Sequence, residues 1–348
     1  MVLDKTWLAH QVQRNCHIAD ARHGTDFGLC TYLMKMREYF RWEQGLSYSA
    51  ILDKDAVGDW LSDREKLWKD LQDEDFSEIK IDSVFYDPFD AENINKIIKS
   101  EGLLYSSGLV NAGRAQFFLT ELDSYEKGDD GFELLTGRLE LARGLHAPPA
   151  MTRGKSIFLR RDSLKQSCWE KYESWLWSRP KNAMARALSC YPFENDLELA
   201  LEQMTAAEMS VVRAHEIGEF RVGQKVGEDW ERLLMTVLGT PAELILRAVR
   251  DHWADCIETL PMLLSTSGRE ASMHVFVGNL GHMRKAMAPG LMSAYETWLS
   301  GDQKELERWI SLGVKHWGNL AELSIELFVK EKEDIAKRLA AILEPRVI

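Results

Sequence analysis

A histidine and a glutamate four residues apart on one helix can grip a single metal ion. The chain carries such a pair at His215 and Glu219. Glu208 precedes His215 by seven residues, two helical turns earlier. At about 100° per residue, with Glu208 as the origin, His215 falls near −20° and Glu219 near +20°. Val212, Val222, Val226, Trp230 and Leu233 lie within about 40° of the same line. Three ionisable groups therefore interrupt a stripe that should pack into a core. Burying them costs several kcal/mol unless they are paired, hydrogen-bonded or metal-bound. A divalent ion such as iron, manganese or zinc would satisfy them and could activate water or dioxygen. The sequence His215-Glu216-Ile217-Gly218-Glu219 lacks the second histidine that zinc peptidases require, because a glutamate stands at position 219. The Glu-x-x-His pair of carboxylate-bridged di-iron proteins is also missing. The competing reading is structural: the three groups pair with arginines and backbone of a neighbouring helix.

The stretch 241–264 supplies Arg247, Arg250, Asp251, His252, Asp255 and Glu258. Its apolar residues Leu246, Val249, Trp253, Ile257 and Leu260 cluster on one side, with Asp251, Asp255 and Glu258 opposite. That pattern fits a solvated acidic face, with Arg247 pairing Asp251 one turn on. The short link Gly239-Thr240-Pro241 nevertheless makes this helix an antiparallel neighbour of 205–237, so the polar rows could meet. Stretch 270–287 adds His274 and His282, with Arg284 and Lys285 near its end. Gly278 and Gly281 share the face of His274, which suits a close helix crossing. The metal set expected from these stretches is His215, Glu219 and Glu208, with Asp251, Asp255 or His274 as partners.

A second cluster lies near the start. His10, His17 and His23 stand among Asn15, Cys16, Asp20, Arg22, Asp26 and Cys30. Structural zinc sites favour ligand pairs two to four residues apart, whereas Cys16 and His17 are adjacent and point about 100° apart on a helix. A nucleophilic Cys16 would need a base in reach. Glu43 falls among Leu29, Tyr32, Met36, Tyr39 and Phe40, which predicts an arginine partner from another element. Arg143, His146 and Arg153 surround Pro148-Pro149 and could receive a small anionic ligand. No nucleotide-binding loop is present, and none of these patterns completes the signature of a characterised family.

The elements that must position these groups are mostly helices. Residues 6–22, 27–45 and 53–71 read as helices, and Asp90 caps a shorter one ending near Ser100. From Gly102 the runs 103–105, 116–120, 132–135 and 156–159 are β-prone. Asn111-Ala112-Gly113 and Gly128-Asp129-Asp130-Gly131 supply turns between them. A small antiparallel sheet is expected over 103–161, with Pro148-Pro149 outside any central strand. Beyond Asp162 the expected helices are 163–178, 181–189, 196–203, 205–237, 241–264, 270–287, 290–300, 302–317 and 319–343. The fold class is mostly α: an N-terminal α+β domain (1–162) followed by an antiparallel multi-helix bundle (163–348). Trp169, Trp175 and Trp177 are expected to pack between helices.

With 348 residues, 45% hydrophobic content and 12 tryptophans, the chain can bury a sizeable core. A net charge of −12 without a basic stripe argues against nucleic acid as a partner. No apolar run approaches the ~20 residues that span a bilayer, and the N-terminus lacks a signal-peptide pattern. Five scattered cysteines suit reduced thiols in the cytoplasm. Three functional expectations follow. The first is a metal-binding, potentially catalytic protein. The second is a non-catalytic scaffold fixed by internal ion pairs. The third is a metal-free small-anion pocket between the domains, lined by Arg143, His146 and Glu43. A homo-oligomer is compatible with each.

Overall fold

Local capping chemistry sets where several helices begin. In the computed structural model, which describes residues 3–110, 113–330, 334–343 and 348, Asp4 accepts the Trp7 N–H and opens α1 (Lys5–His23). Helix α2 spans Leu29–Glu43, and Asp53 caps α3 (Lys54–Leu71) through the Ala56 N–H. Strands β1 (Ile79–Ile81) and β2 (Val84–Tyr86) form a two-stranded antiparallel hairpin. Asp90 caps α4 (Ala91–Ile98), as its sequence position predicts.

The main sheet is built from β3 (Leu103–Val110), β4 (Arg114–Lys127), β5 (Glu133–Arg143), β6 (Ala150–Arg153) and β7 (Ser156–Arg160). Its order is β3-β4-β5-β7-β6. The expectation of a small antiparallel sheet is corrected here: the sheet is five-stranded and mixed, because β7 runs parallel to β5. A β-prone run carries no information on strand direction. The chain leaves β5, passes Pro148-Pro149, forms the edge strand β6, and turns at Gly154 (φ +58°) into β7 beside β5. The two prolines thus sit just outside an edge strand. The turn expected at Asn111-Ala112 lies outside the described residues.

Alternation along the strands decides which helices cover the sheet. Leu103, Tyr105, Phe117, Leu119 and Ala142 pack with Leu8, Val12 and Cys16 of α1 and with Ile94 and Ile98 of α4. Leu104, Phe118, Leu135 and Phe158 form a separate cluster.

After the sheet come α5 (Arg161–Leu176), α6 (Ala183–Leu188), α7 (Leu197–Thr236), α8 (Pro241–Ala254), α9 (Leu260–Ser265), α10 (Glu270–Asn279), α11 (His282–Met287) and α12 (Pro289–Leu299). The chain closes with α13 (Lys304–Lys330) and α14 (Ile335–Leu343). The molecule is 64% helical, which bears out a mostly α protein with a helical C-terminal region.

Several helix limits differ from expectation for visible reasons. The expected helices 196–203 and 205–237 are one helix, α7, capped by Asp196 through the Leu199 N–H and kinked at Gly227 (φ +67°). The expected helix 241–264 is interrupted by a π-turn at Asp255–Thr259, in which the Leu260 N–H bonds to the Asp255 carbonyl. Pro261 enforces this widening: it lacks an N–H, and its ring crowds the carbonyl four residues back. The expected 270–287 helix divides at Leu280-Gly281. Residues 304–330 run unbroken through Gly318, where an added Cβ would stand 3.1 Å from the Trp253 ring. That glycine serves close packing and does not end a helix. Residues 331–333 of the expected 319–343 helix lie outside the described residues. Val222, Trp230, Leu233, Leu246, Val249 and Trp253 join α13 in the largest apolar cluster. Trp169 is buried, but Trp177 is 77% exposed and does not pack between helices.

Candidate metal centre

The site begins with a glycine. A Cβ on Gly218 would lie 2.6 Å from the Ala254 carbonyl oxygen, so α7 and the end of α8 touch there backbone to backbone. His215 lies three residues before Gly218 and Glu219 one residue after it, so both come against the segment from Arg250 to Asp255. Asp255, an acid expected on a solvated face, follows Ala254 at this contact and is only 1% exposed because α7 covers that face. Asp251 is half-buried beside it.

His215, Glu219 and Asp251 each present a ligand atom within 4.8 Å of the other two. His215 Nδ1 lies 2.8 Å from Asp255 Oδ1, and its Nε2 lies 3.7 Å from Glu219 Oε1. Two ligands about 2.1 Å from one ion at tetrahedral or octahedral angles stand roughly 3–3.5 Å apart. The His215–Glu219 separation is close to that range. Asp255 occupies the position of the carboxylate that fixes a metal-bound histidine: it takes the Nδ1 proton and leaves Nε2 facing the acids. Arg284 donates to the other Asp255 oxygen, and Arg250 donates to Glu219 Oε1 at 2.9 Å.

Electrostatics follows from these contacts. Burial pushes His215 down, but Asp255, Glu219 and Asp251 outweigh it and hold the imidazole at about 10. Burial raises Asp255 and Glu219 in turn; Arg284 and His215 bring Asp255 well below the carboxylate range, and Arg250 and His215 lower Glu219. Asp251 rises to about 6 through burial and the nearby Glu219. Glu216 rises to about 7 for the same two reasons, although Thr152 of β6 donates to its Oε2 at 2.7 Å. Four acids therefore face three cations in a small volume, and two of the acids hold protons readily. That is the electrostatic signature of a place short of positive charge.

The structure gathers only part of the expected set. His215, Glu219 and Asp251 converge, and Asp255 backs the histidine. Glu208 stands apart, 5% exposed on the wall of a neighbouring cavity, with burial raising it to about 7. His274 is also elsewhere: its Nδ1 meets Tyr295 Oη at 2.8 Å and its ring packs on Trp298 of α12. Gly278 does permit a close crossing, with α6 at Met184, whereas Gly281 has open space beside it. The expected Arg247–Asp251 pair is replaced by Arg247–Glu243, 2.8 Å apart. Glu216, unremarked in the sequence stripe because it points about 100° away, joins the site from the sheet side. Only its place beside His215 hinted at this.

The N-terminal groups do not form a zinc site. His17 lies under the Arg64 guanidinium, with Nε2 2.6 Å from Nη1, and burial together with that cation lowers it to about 3. Cys16 is buried with its Sγ against the Phe117 carbonyl, and burial pushes its thiol well up, which disfavours the thiolate that a nucleophile needs. Among the described residues only the His215 group has metal-ligand proximity. Glu43 finds its external arginine, Arg64, at 2.5 Å, and also takes the Trp60 indole N–H.

Arg143 and Glu43 line a large cleft of about 950 Å³ with His17, Glu38 and Asp162, while His146 lines a separate hollow with Asp20 and Arg114. These two cavities thus separate His146 from Arg143 and Glu43. Arg143 is instead held by Glu140, which also binds Arg160 at 2.7 Å and the Ser163 hydroxyl at 2.6 Å. Sequence reasoning missed this buried network. Glu140 and Arg143 stand three apart on a strand, a spacing that gives no helical signal. Arg153, the remaining residue of the proposed anion loop, packs its guanidinium over Gly108 of β3.

Comparison with known proteins gives a family without an assigned activity. Residues 7–160 match the N-terminal domain and residues 165–346 the C-terminal domain of a family of unknown function, DUF6866. The chain belongs to this family. No curated protein and no solved structure matches it.

Proposed function

We propose that this DUF6866-family chain is a metal-binding protein whose divalent ion is held by His215, Glu219 and Asp251 and takes substrate or water at its open positions. The observation that carries this reading is the mutual approach of the three ligand atoms within 4.8 Å, with Asp255 behind His215. An ion on Nε2 would replace the proton that the surrounding acids now hold there. It would also neutralise the surplus carboxylate that raises Asp251 and Glu216. Three protein ligands leave coordination positions free, the arrangement of metal centres that activate bound water. Nitrogen with two carboxylates suits iron, manganese or zinc. The same reading takes the chain as a cytoplasmic protein with reduced thiols, divided near residue 162, its C-terminal helices an antiparallel bundle.

Elemental analysis of protein purified without an affinity tag tests it. Near one iron, manganese or zinc per chain is expected, falling to background in Glu219→Gln and Asp251→Asn. Protein without metal, whose melting temperature is unmoved by all three ions, overturns the proposal.

A second reading rests on one observation: both Asp255 oxygens and one Glu219 oxygen already have protein partners in His215, Arg284 and Arg250. The cluster is then a set of ion pairs that fixes the register of α7 against α8, and the protein is a scaffold. His215→Ala would lower stability, by about 3–5 kcal/mol because Asp255 loses a buried partner, without altering metal content.

A further inference from the structure

Beside the metal-ligand cluster lies a cavity of about 300 Å³, at the lower end of the range of small-molecule sites. Its walls come from α5, α7, α10 and the π-turn. Most of the lining is apolar, from residues such as Leu164, Met204, Val211, Val275 and Phe276. Into this lining comes Glu208. Its carboxyl is 5% exposed, and Oε1 has no hydrogen-bond partner among the described residues. A buried carboxyl oxygen without a partner is destabilising, more so when ionised, and calls for an explanation. Asp255, which lines the same cavity, has both oxygens taken by His215 and Arg284. Glu216, on the same wall, takes the Thr152 hydroxyl on Oε2, whereas Glu208 Oε1 is fully buried without a partner among the described residues.

We infer that this cavity is a binding site for a small primary amine, its ammonium group on Glu208 and its apolar body among Leu164, Val211 and Phe276. An ammonium offers three donors to a carboxylate and needs no acceptor in return, and the cations His215 and Arg284 on the far wall are already engaged with Asp255. The charged and titratable groups around Glu208 and its cavity are Arg269 at the start of α10, Cys168 and Lys171 of α5, Tyr191, and across the cavity His215 and Glu216 of α7, Asp255 of the π-turn and Arg284 of α11. Arg269 spends its Nη1 on the Ala207 carbonyl and the Ser210 hydroxyl. Burial raises both Cys168 and Tyr191, so neither is charged near neutral pH. Burial also holds Glu208 itself at about 7, so a bound cation would drive out the proton it carries at neutral pH. The cavity touches His215 and Asp255 of the proposed metal centre, but the amine's contact is with Glu208, which is not among the converging ligand atoms.

Isothermal titration of the full chain at pH 7 tests it, with butylamine, hexylamine and 2-phenylethylamine as probes and hexanoate and 1-hexanol as matched controls. At least one amine should bind, and hexanoate and hexanol should not compete with it. Repeating the titration in buffers of different ionisation enthalpy should reveal proton release. Glu208→Gln is nearly isosteric and removes an unpaired acid, so it should melt no lower than the wild type, yet weaken the amine about ten-fold or more. Amine affinity should be the same before and after dialysis against EDTA, which separates failure here from failure of the metal proposal. The inference is overturned if no amine binds, if hexanoate or hexanol binds equally well, or if Glu208→Gln binds amine as tightly as the wild type.

Discussion

At the scale of single residues, burial governs the titratable groups more than their neighbours in sequence do. Asp20 shows this away from the proposed metal. It accepts the Leu145 N–H through both oxygens, at 3.0 and 2.9 Å, yet burial outweighs that bond and the nearby Arg143 and Arg64, raising it to about 7. An unfolded aspartate titrates near 4. Between about pH 4 and 7 the folded state therefore holds a proton that the unfolded chain has lost. Its contribution to stability is complete below pH 4 and is lost as pH rises through 7. Asp20→Asn keeps an acceptor for Leu145 and carries no titrating proton. Relative to the wild type, the variant should gain about 2 kcal/mol between pH 5 and pH 8, read from urea midpoints at the two values. Parallel pH profiles would contradict this account. The residue types of the site were legible in the sequence, since an acid on an apolar stripe signals a partner. The identity of each partner was not: Glu43 found Arg64 and Glu208 found none on one oxygen.

At the scale of elements, three glycines of α7 make opposite predictions although each has the same side chain. Alanine is normally favoured over glycine inside a helix by about 1 kcal/mol. At Gly223 the added methyl meets nothing within 4 Å, so Gly223→Ala should stabilise by about 0.5–1 kcal/mol. At Gly218 it meets the Ala254 carbonyl at 2.6 Å, so Gly218→Ala should cost about 1–3 kcal/mol and lower metal content by parting α7 from α8. At Gly227 the backbone stands at φ +67°, so alanine there should cost about 1–3 kcal/mol through strain alone and leave metal content intact. Thermal melts with metal analysis on the three variants distinguish contact from conformation. Helix existence followed from the 3.6-residue period and from capping acids such as Asp53 and Asp90. The π-turn did not, because Pro261 signals a disturbance without saying whether the helix ends, kinks or widens.

At the scale of the whole molecule, α7 joins the sheet to the helical region. Phe220 packs edge-on against Phe132, ring centres 5.6 Å apart, in a cluster with Ile157 and Leu159. Exposed pairs such as Arg213–Glu126 flank that contact. Phe220→Ala should cost about 3–5 kcal/mol through a cavity at the junction, and Arg213→Ala less than about 1 kcal/mol, because solvent screens an exposed pair. Chemical denaturation of both variants checks the ranking; similar losses would mean that charge pairs, not the apolar contact, join the two regions. Taken alone, the sequence determined the mostly helical class, the placement of β-prone segments before residue 162, and the ionisable interruption at Glu208, His215 and Glu219. Period, capping and burial cost are local properties, so one strand of text suffices for them. Tertiary structure alone decided that β7 runs parallel to β5, that Asp251 and Asp255 face His215, and that Glu208 and His274 stand elsewhere. Those outcomes depend on how closely two backbones approach and in which phase they meet, as at Gly218 against Ala254, and a spacing along one helix says nothing about the helix across from it.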